Sequence, residues 1–168
     1  VIPTVPPPFV TTPTPTRNPK SFADEADIYL TEGRVSLAME SYEAAIKANP
    51  QEVSNYLNLA KLQIYGGDYE AARVNAENAL LLDKNKPQAL ALLGWAKGNL
   101  GEYLEAEADI KAALDLDPNS ALTHAVYADI LATRVANDLG EINTIDTAIE
   151  ESKLALTLNP DLLEAHWA

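Results

Sequence analysis

The chain contains no cysteine among its 168 residues, and it has only 12 basic residues against 25 acidic ones. The lack of cysteine excludes a disulfide framework, a thiolate metal site and a cysteine nucleophile. Nucleic acids and anionic membrane surfaces are bound through clustered Lys and Arg, so a net charge of −13 argues against both as partners. The acidity is explained either by a basic partner or by simple solubility.

The chain also lacks long hydrophobic runs and catalytic signatures. No stretch approaches the roughly 20 apolar residues that a membrane-spanning helix needs, so we expect no direct membrane insertion in this segment. There is no P-loop, Rossmann glycine fingerprint, HExxH, GxSxG or calcium-loop pattern. The two histidines, His124 and His166, have no third ligand at a useful spacing, and we interpret both as packing residues. The sequence therefore predicts a non-enzymatic protein without a metal or cofactor.

What the chain does contain is a repeat with a period of about 34 residues, which is typical of stacked helical hairpins. Gly33, Gly67 and Gly101 are evenly spaced at this interval, and small residues recur with the same period. Each glycine is placed to end a first helix, because glycine adopts the left-handed conformation without a Cβ clash. Prolines fall at the repeat junctions, where they stop a second helix or begin a first one: Pro50, Pro87, Pro118 and Pro160.

On these residues the chain resembles the tetratricopeptide repeat family. That family has a small residue in the first helix, a glycine at the turn, and two alanines and a final proline in the second helix. The matching residues are Ala26, Gly33, Ala38, Ala45 and Pro50; Ala60, Gly67, Ala72 and Ala79; Gly94, Gly101, Ala106, Ala113 and Pro118; and Ala128, Ala148, Ala155 and Pro160. The resemblance covers residues 20–168 and implies an all-α fold, a right-handed superhelix of antiparallel helix pairs.

The resemblance places the repeats at about 20–52, 53–86, 87–120 and 121–162, with a partial fifth at 163–168. Ala60 and Ala72 lie 12 positions apart whereas Ala128 and Ala148 lie 20 apart, so eight residues are inserted within 133–146. We expect the insertion to extend a helix to about Leu139 and the next helix to begin near Asn143 or Thr144. Such a projection either contacts a partner or is a tolerated insertion, and the sequence leaves both readings open.

Residues 1–19 form a separate, Pro/Thr-rich segment. They hold seven of the 11 prolines and five threonines, a composition that predicts an extended linker without a fold of its own. Such stalks commonly tether exported bacterial domains, so we favour an extracytoplasmic, membrane-tethered location. A linker in a cytoplasmic protein, or a ligand for a proline-binding module, remains open. Because the chain starts at Val1, we expect a processed or trimmed product. At the other end it stops inside a repeat, and this segment is either a cut repeat or a short capping helix.

The first helices of stacked hairpins line the inner surface of the superhelix, which predicts a binding groove. We expect tyrosine and tryptophan to pack apolar ligand side chains and asparagines to hydrogen-bond an extended backbone. The predicted groove residues are Asn58, Lys61, Tyr65, Trp95, Asn99 and Asp129. Trp95 has an alternative role in packing within the array. Of the positions with which some family members clamp a C-terminal carboxylate, only Asn58 matches, so a neutral or basic segment is favoured over an acidic tail.

These expectations indicate a scaffold that binds a peptide or protein segment and helps to assemble a complex. Two alternatives stay open at this point. The open repeat ends can stack on a second copy, which makes the chain a homotypic self-assembly module. The chain can also be an accessory domain of a larger protein whose activity lies elsewhere.

Overall fold

The computed structural model describes residues 18–162 and Glu164, and within them it shows eight α-helices and no strand. The helices are α1 (Pro19–Thr31), α2 (Val35–Ala48), α3 (Val53–Tyr65), α4 (Tyr69–Leu82), α5 (Pro87–Asn99), α6 (Tyr103–Leu116), α7 (Ala121–Ala136) and α8 (Thr144–Leu158). The predicted all-α repeat fold is confirmed. Residues 1–17 of the predicted linker lie outside the described part of the chain. Most of the partial fifth repeat lies outside it too.

Alanine allows the helices to pack closely in pairs. The principal pairs are α1 with α2, α3 with α4, α5 with α6, and α7 with α8. The alanines that recur once in every repeat, Ala38, Ala72 and Ala106 among them, are fully buried where two helices meet. A methyl group at the contact lets two helix axes approach to about 8 Å, the short end of the usual range. The repeat in the sequence is thus a repeat of helix contacts.

The turns within the hairpins have the geometry that the glycines predict. Gly33, Gly67 and Gly101 have φ between +72° and +84°. After α3, the amide of Asp68 donates to the carbonyl of Gln63 and that of Gly67 to the carbonyl of Ile64. This is a Schellman motif, which satisfies carbonyls at the helix end. Glycine fits this turn because a side chain is strained at positive φ.

The inserted residues are divided between a helix and a connection. Helix α7 has 16 residues against 13 in α1, α3 and α5, so it is three residues longer. It ends at Ala136 and not at the expected Leu139, because Asp138 takes the left-handed turn position with φ 59° and the Leu139 amide donates to Arg134. Helix α8 begins at Thr144, as expected. The connection leaves Ile142 93% exposed.

The first helices of the second, third and fourth units pack directly on one another. Helix α5 contacts both α3 and α7, while the second helices α2, α4 and α6 pack mainly against the first helix on either side. The row of first helices is therefore the more closely spaced side of the array. We call the solvent-facing surface of α1, α3, α5 and α7 the inner face.

Candidate functional site

The inner face carries the residues that the sequence predicts for a groove. Asn58, Lys61 and Tyr65 lie three and four positions apart on α3, so they share one side of that helix. Helix α5 contributes Trp95 and Asn99, and α7 contributes Asp129. Asn58, Tyr65 and Asn99 are exposed, Lys61 and Asp129 are half-buried, and Trp95 is buried.

The two aromatic side chains meet at the centre of the inner face. The rings of Tyr65 and Trp95 lie 5.7 Å apart at 84°, an edge-to-face pair. Tyr65 is 42% exposed, whereas Trp95 is only 8% exposed and belongs to the main core cluster. The Asn99 side-chain amide donates to the Trp95 carbonyl at 3.0 Å. Tyr65 is therefore the aromatic surface that a ligand can reach, and Trp95 supports it from beneath.

Helix α7 adds a carboxylate to the same row. The side chain of Asp129 is half-buried beside the indole of Trp95. Burial raises the pKa of Asp129 above its ordinary value, and the polar influence of the Trp95 indole N–H only partly offsets that rise. Among the described residues, no ion pair of Asp129 is found. The row thus ends in a carboxylate that is costly to ionise where it lies.

This environment predicts that Asp129→Asn stabilises the protein at pH 7. Burial raises the folded-state pKa above the unfolded-state value, so ionisation of Asp129 removes stability as the pH rises through that interval. Asparagine has nearly the same size and carries no charge, so the cost of ionisation is removed. We expect thermal denaturation at pH 7 to show a rise in Tm of about 2–4 °C, the equivalent of ~1 kcal/mol for a domain of this size. The gain should shrink towards pH 3.8, the ordinary pKa of aspartate; an unchanged or lower Tm at pH 7 would contradict the assignment.

A residue that sequence reasoning missed lies in the middle of this row. The carboxylate of Glu164 is 2.9 Å from Lys61 Nζ and accepts a hydrogen bond from the Tyr65 hydroxyl. Lys61 Nζ also stands 5.5 Å from the centre of the Tyr65 ring, a cation–π distance. Burial opposes ionisation of Glu164, but the hydrogen bonds from Tyr65 and Lys61 outweigh it and lower the pKa of the carboxyl. Ionised Glu164 therefore neutralises the one lysine of the predicted set.

The first two repeats hold a separate hydrogen-bond chain. The Tyr42 hydroxyl donates to Asp27 Oδ1 at 2.5 Å and accepts from Asn58 Nδ2 at 3.1 Å. Burial, followed by the bond to Asp27, raises the pKa of Tyr42, so the phenol stays protonated. A cavity of about 340 Å³ adjoins these hydrogen-bonded side chains. The carboxylates of Asp24, Asp27 and Glu52 are among the groups that line it. Asn58 is thus engaged here and not with Tyr65 and Trp95.

His124 lies in the contact between α7 and α8. Its Nδ1 lies 2.5 Å from Glu151 Oε2 and its Nε2 lies 3.0 Å from the carbonyl oxygen of Pro118, so both ring nitrogens are occupied. The ring is almost fully buried between α7 and α8, in agreement with a packing role. His166 lies outside the described residues. Within residues 18–162 and Glu164, no cluster of three potential metal ligands occurs, and no helix is long and apolar enough to cross a membrane.

Comparison with known proteins matches the repeats directly. The tetratricopeptide repeat family model matches residues 19–52 and 87–120. A DnaJ homolog subfamily C member 7 homolog of Schizosaccharomyces pombe is 26% identical over 149 residues, which cover 84% of this chain and 31% of that protein. The Protein CTR9 homolog of Arabidopsis thaliana is 30% identical over 153 residues, 89% of this chain and 13% of that protein. The chain thus spans less than a third of either relative.

Solved structures give the same architecture. A tetratricopeptide repeat protein of Thermus thermophilus superposes with a TM-score of 0.73 at 21% identity, over 85% of this chain and 75% of that one. The second such domain of human RPAP3, solved in complex with the HSP70 peptide SGPTIEEVD, has a TM-score of 0.61 at 27% identity, over 67% of this chain and 98% of that domain. The glycine turns, the buried alanines and these matches lead to one conclusion: residues 19–52 and 87–120 are tetratricopeptide repeats, and the chain is a tetratricopeptide repeat protein in its fold.

Proposed function

We propose that the inner face binds an extended segment of another protein and that the chain is a non-catalytic scaffold that helps to assemble a complex. The observation that carries this proposal is the continuous row of side chains from Lys61 through Tyr65 and Trp95 to Asp129, which crosses three adjacent helices. Such a row offers one accessible aromatic surface flanked by charges of opposite sign. Aromatic anchors with a polar surround are typical of protein interfaces.

The charges favour a segment that is neutral or basic overall. Lys61 is already neutralised by Glu164, so the charges left for a ligand to neutralise are mostly carboxylates. These are Asp129 at one end and the cavity carboxylates of Asp24, Asp27 and Glu52 at the other. A ligand with a basic residue near either end gains charge complementarity, whereas a uniformly acidic ligand meets repulsion. The acidic peptide bound by the human RPAP3 domain is therefore a poor match for this face.

Selection from a random peptide library tests the proposal with ligands of every composition. Phage-displayed dodecapeptides would be panned on the immobilised chain, and enriched peptides would be remade and measured by fluorescence anisotropy. We expect enriched sequences to carry an apolar or aromatic residue next to a basic one. Asp129→Asn should weaken their binding about tenfold, the equivalent of ~1.4 kcal/mol for a lost charge-assisted contact.

The matched control for this test lies on the opposite side of the array. Glu70→Gln removes an exposed acidic partner of Arg73 on α4 and should leave every affinity unchanged. The peptides SGPTIEEVD and SRMEEVD, which the RPAP3 domains bind, serve as acidic comparators and should bind more weakly than the enriched peptides. The proposal fails if the enriched peptides bind the Asp129 variant and the parent chain equally.

A further inference from the structure

Glu164 lies in a position built to hold a carboxylate. It is 6% exposed, and a carboxylate at that depth must be paired to stay ionised. Lys61 provides the positive charge and the Tyr65 hydroxyl provides a hydrogen bond, while Lys61 also lies over the Tyr65 ring. The two partners come from the second repeat, 99 residues upstream in the case of Tyr65. The contact therefore joins a residue that follows α8 to the centre of the inner face.

The same two residues belong to the surface proposed for ligand binding. A partner segment can contact the Lys61 ammonium and the Tyr65 hydroxyl only after the Glu164 carboxylate has left them. We propose that Glu164 is an internal competitor, which occupies the Lys61–Tyr65 position until a partner segment replaces it with a carboxylate of its own. This inference rests on the proposed function, because it names the chemistry of the partner at one position of that face.

The geometry also sets the spacing of charges in the partner. Lys61 and Tyr65 lie on α3 and Asp129 lies on α7, with α5 between them. Two helix-to-helix spacings of about 8–10 Å separate the axes of α3 and α7 by roughly 16–20 Å. The side chains of Tyr65, Trp95 and Asp129 adjoin one another across this interval, so the two charged positions lie closer together than the axes and an extended chain joins them in at most about five or six residues. The fitting segment therefore carries an acidic residue and, within five or six positions of it, a basic residue that faces Asp129, and it is neutral overall.

A competitor attached to the same chain has a measurable consequence. The apparent Kd of a partner increases in inverse proportion to the fraction of molecules in which the position is free. A tethered group competes at an effective concentration in the millimolar range, so even a weak contact keeps the position mostly filled. Removal of the Glu164 carboxylate should therefore make the inner face bind a carboxylate-bearing peptide at least tenfold more tightly.

The test uses a peptide copy of the segment as the probe. A fluorescein-labelled decapeptide with the sequence of residues 159–168, NPDLLEAHWA, is titrated with the full chain and followed by anisotropy. We expect weak binding to the parent chain and at least tenfold tighter binding to Glu164→Ala. The gain should be lost when Lys61→Met is added, or when glutamine replaces glutamate in the peptide. Glu164→Gln, which keeps the size of the side chain, should show the same gain if alanine disturbs folding.

Controls show whether the gain is specific to the Glu164 carboxylate. Glu70→Gln, which disrupts an exposed ion pair on α4, should bind the decapeptide as the parent chain does. The proposal is overturned if Glu164→Ala and the parent chain bind the peptide equally, or if the glutamine peptide binds as tightly as the glutamate peptide. Light scattering should show a monomeric parent chain; a dimer that dissociates on Glu164→Ala would place the competitor in a second copy and overturn the internal contact.

The failure of this inference can be told from the failure of the proposed function. The decapeptide experiment asks only whether Glu164 blocks the Lys61–Tyr65 position, and the library experiment asks whether the inner face binds foreign segments. Tight decapeptide binding with no enriched library peptide would support the carboxylate position and reject the scaffold function. Enriched peptides that ignore Glu164→Ala would support the scaffold function and reject the competitor.

Discussion

Replacement of Trp95 by alanine is expected to lower the free energy of unfolding by about 3–5 kcal/mol, the cost of removing a large buried side chain. The ring is 8% exposed and packs edge-to-face on Tyr65. Its loss leaves a cavity in the main core cluster and removes the ring that supports Tyr65. Chemical denaturation monitored by circular dichroism measures the effect.

Two variants set the scale for this result. Leu81→Ala alters a side chain that is 77% exposed on α4 and should change the free energy of unfolding by less than about 0.5 kcal/mol. Trp95→Phe keeps a smaller aromatic ring, so its loss of unfolding free energy should fall between the losses of Trp95→Ala and Leu81→Ala. If Trp95→Ala unfolded with the stability of Leu81→Ala, the ring would be a ligand contact and not a part of the core.

A second large effect is expected at Gly94 and Ile110, which pack against each other where α5 meets α6. A Cβ atom on Gly94 would stand 2.9 Å from Ile110 Cγ1 and 3.0 Å from the Ala106 carbonyl oxygen. Gly94→Val should therefore cost about 2–3 kcal/mol through overpacking. Ile110→Ala alone should cost about 2–4 kcal/mol through the cavity it leaves. The double variant should be more stable than the sum of the two losses by at least about 1 kcal/mol.

Comparison with the second repeat shows why Gly94→Val and Ile110→Ala should compensate for each other. The equivalent positions one repeat earlier hold Ala60 and Ala76, two small residues, whereas the third repeat combines glycine with the larger isoleucine. Gly66→Ala is the control, because a Cβ there meets backbone oxygens at 3.4 Å and 3.5 Å, ordinary contact distances. It should be neutral or slightly stabilising. If the losses of unfolding free energy from Gly94→Val and Ile110→Ala simply add in the double variant, positions 94 and 110 are not in contact as described.

Much of the fold follows from local signals in the sequence. Glycine at a left-handed turn and alanine at a close helix contact are requirements of the backbone, so Gly67 and Ala72 mark the turn and the contact directly. The end of α7 was misplaced because Asp138, and not a glycine, takes the left-handed position. Aspartate adopts that conformation less readily than glycine, so its type alone does not identify the turn.

For the candidate site, helix periodicity predicts only which residues of one helix share a surface. Spacing along α3 places Lys61 and Tyr65 on one surface, since neighbours on a helix lie three or four residues apart. Helix periodicity does not predict which side chain is buried between two helices. It therefore could not distinguish a packing role of Trp95 from a ligand-binding role. Glu164 was missed because its partners are distant in sequence and one acidic residue among 25 has no distinguishing signal. The engagement of Asn58 by Tyr42 likewise depends on how two units stack.

Amide NMR mapping with the tightest library-derived peptide tests the central claim, that the inner face is the binding surface. We expect chemical-shift changes centred on Lys61, Tyr65 and Trp95, with a change at Glu164 as its carboxylate leaves them. Helices α4 and α6 should stay unperturbed except where they contact those residues. Shifts that cluster instead around the α7–α8 connection, where Ile142 is exposed, would contradict the account and assign binding to the inserted residues.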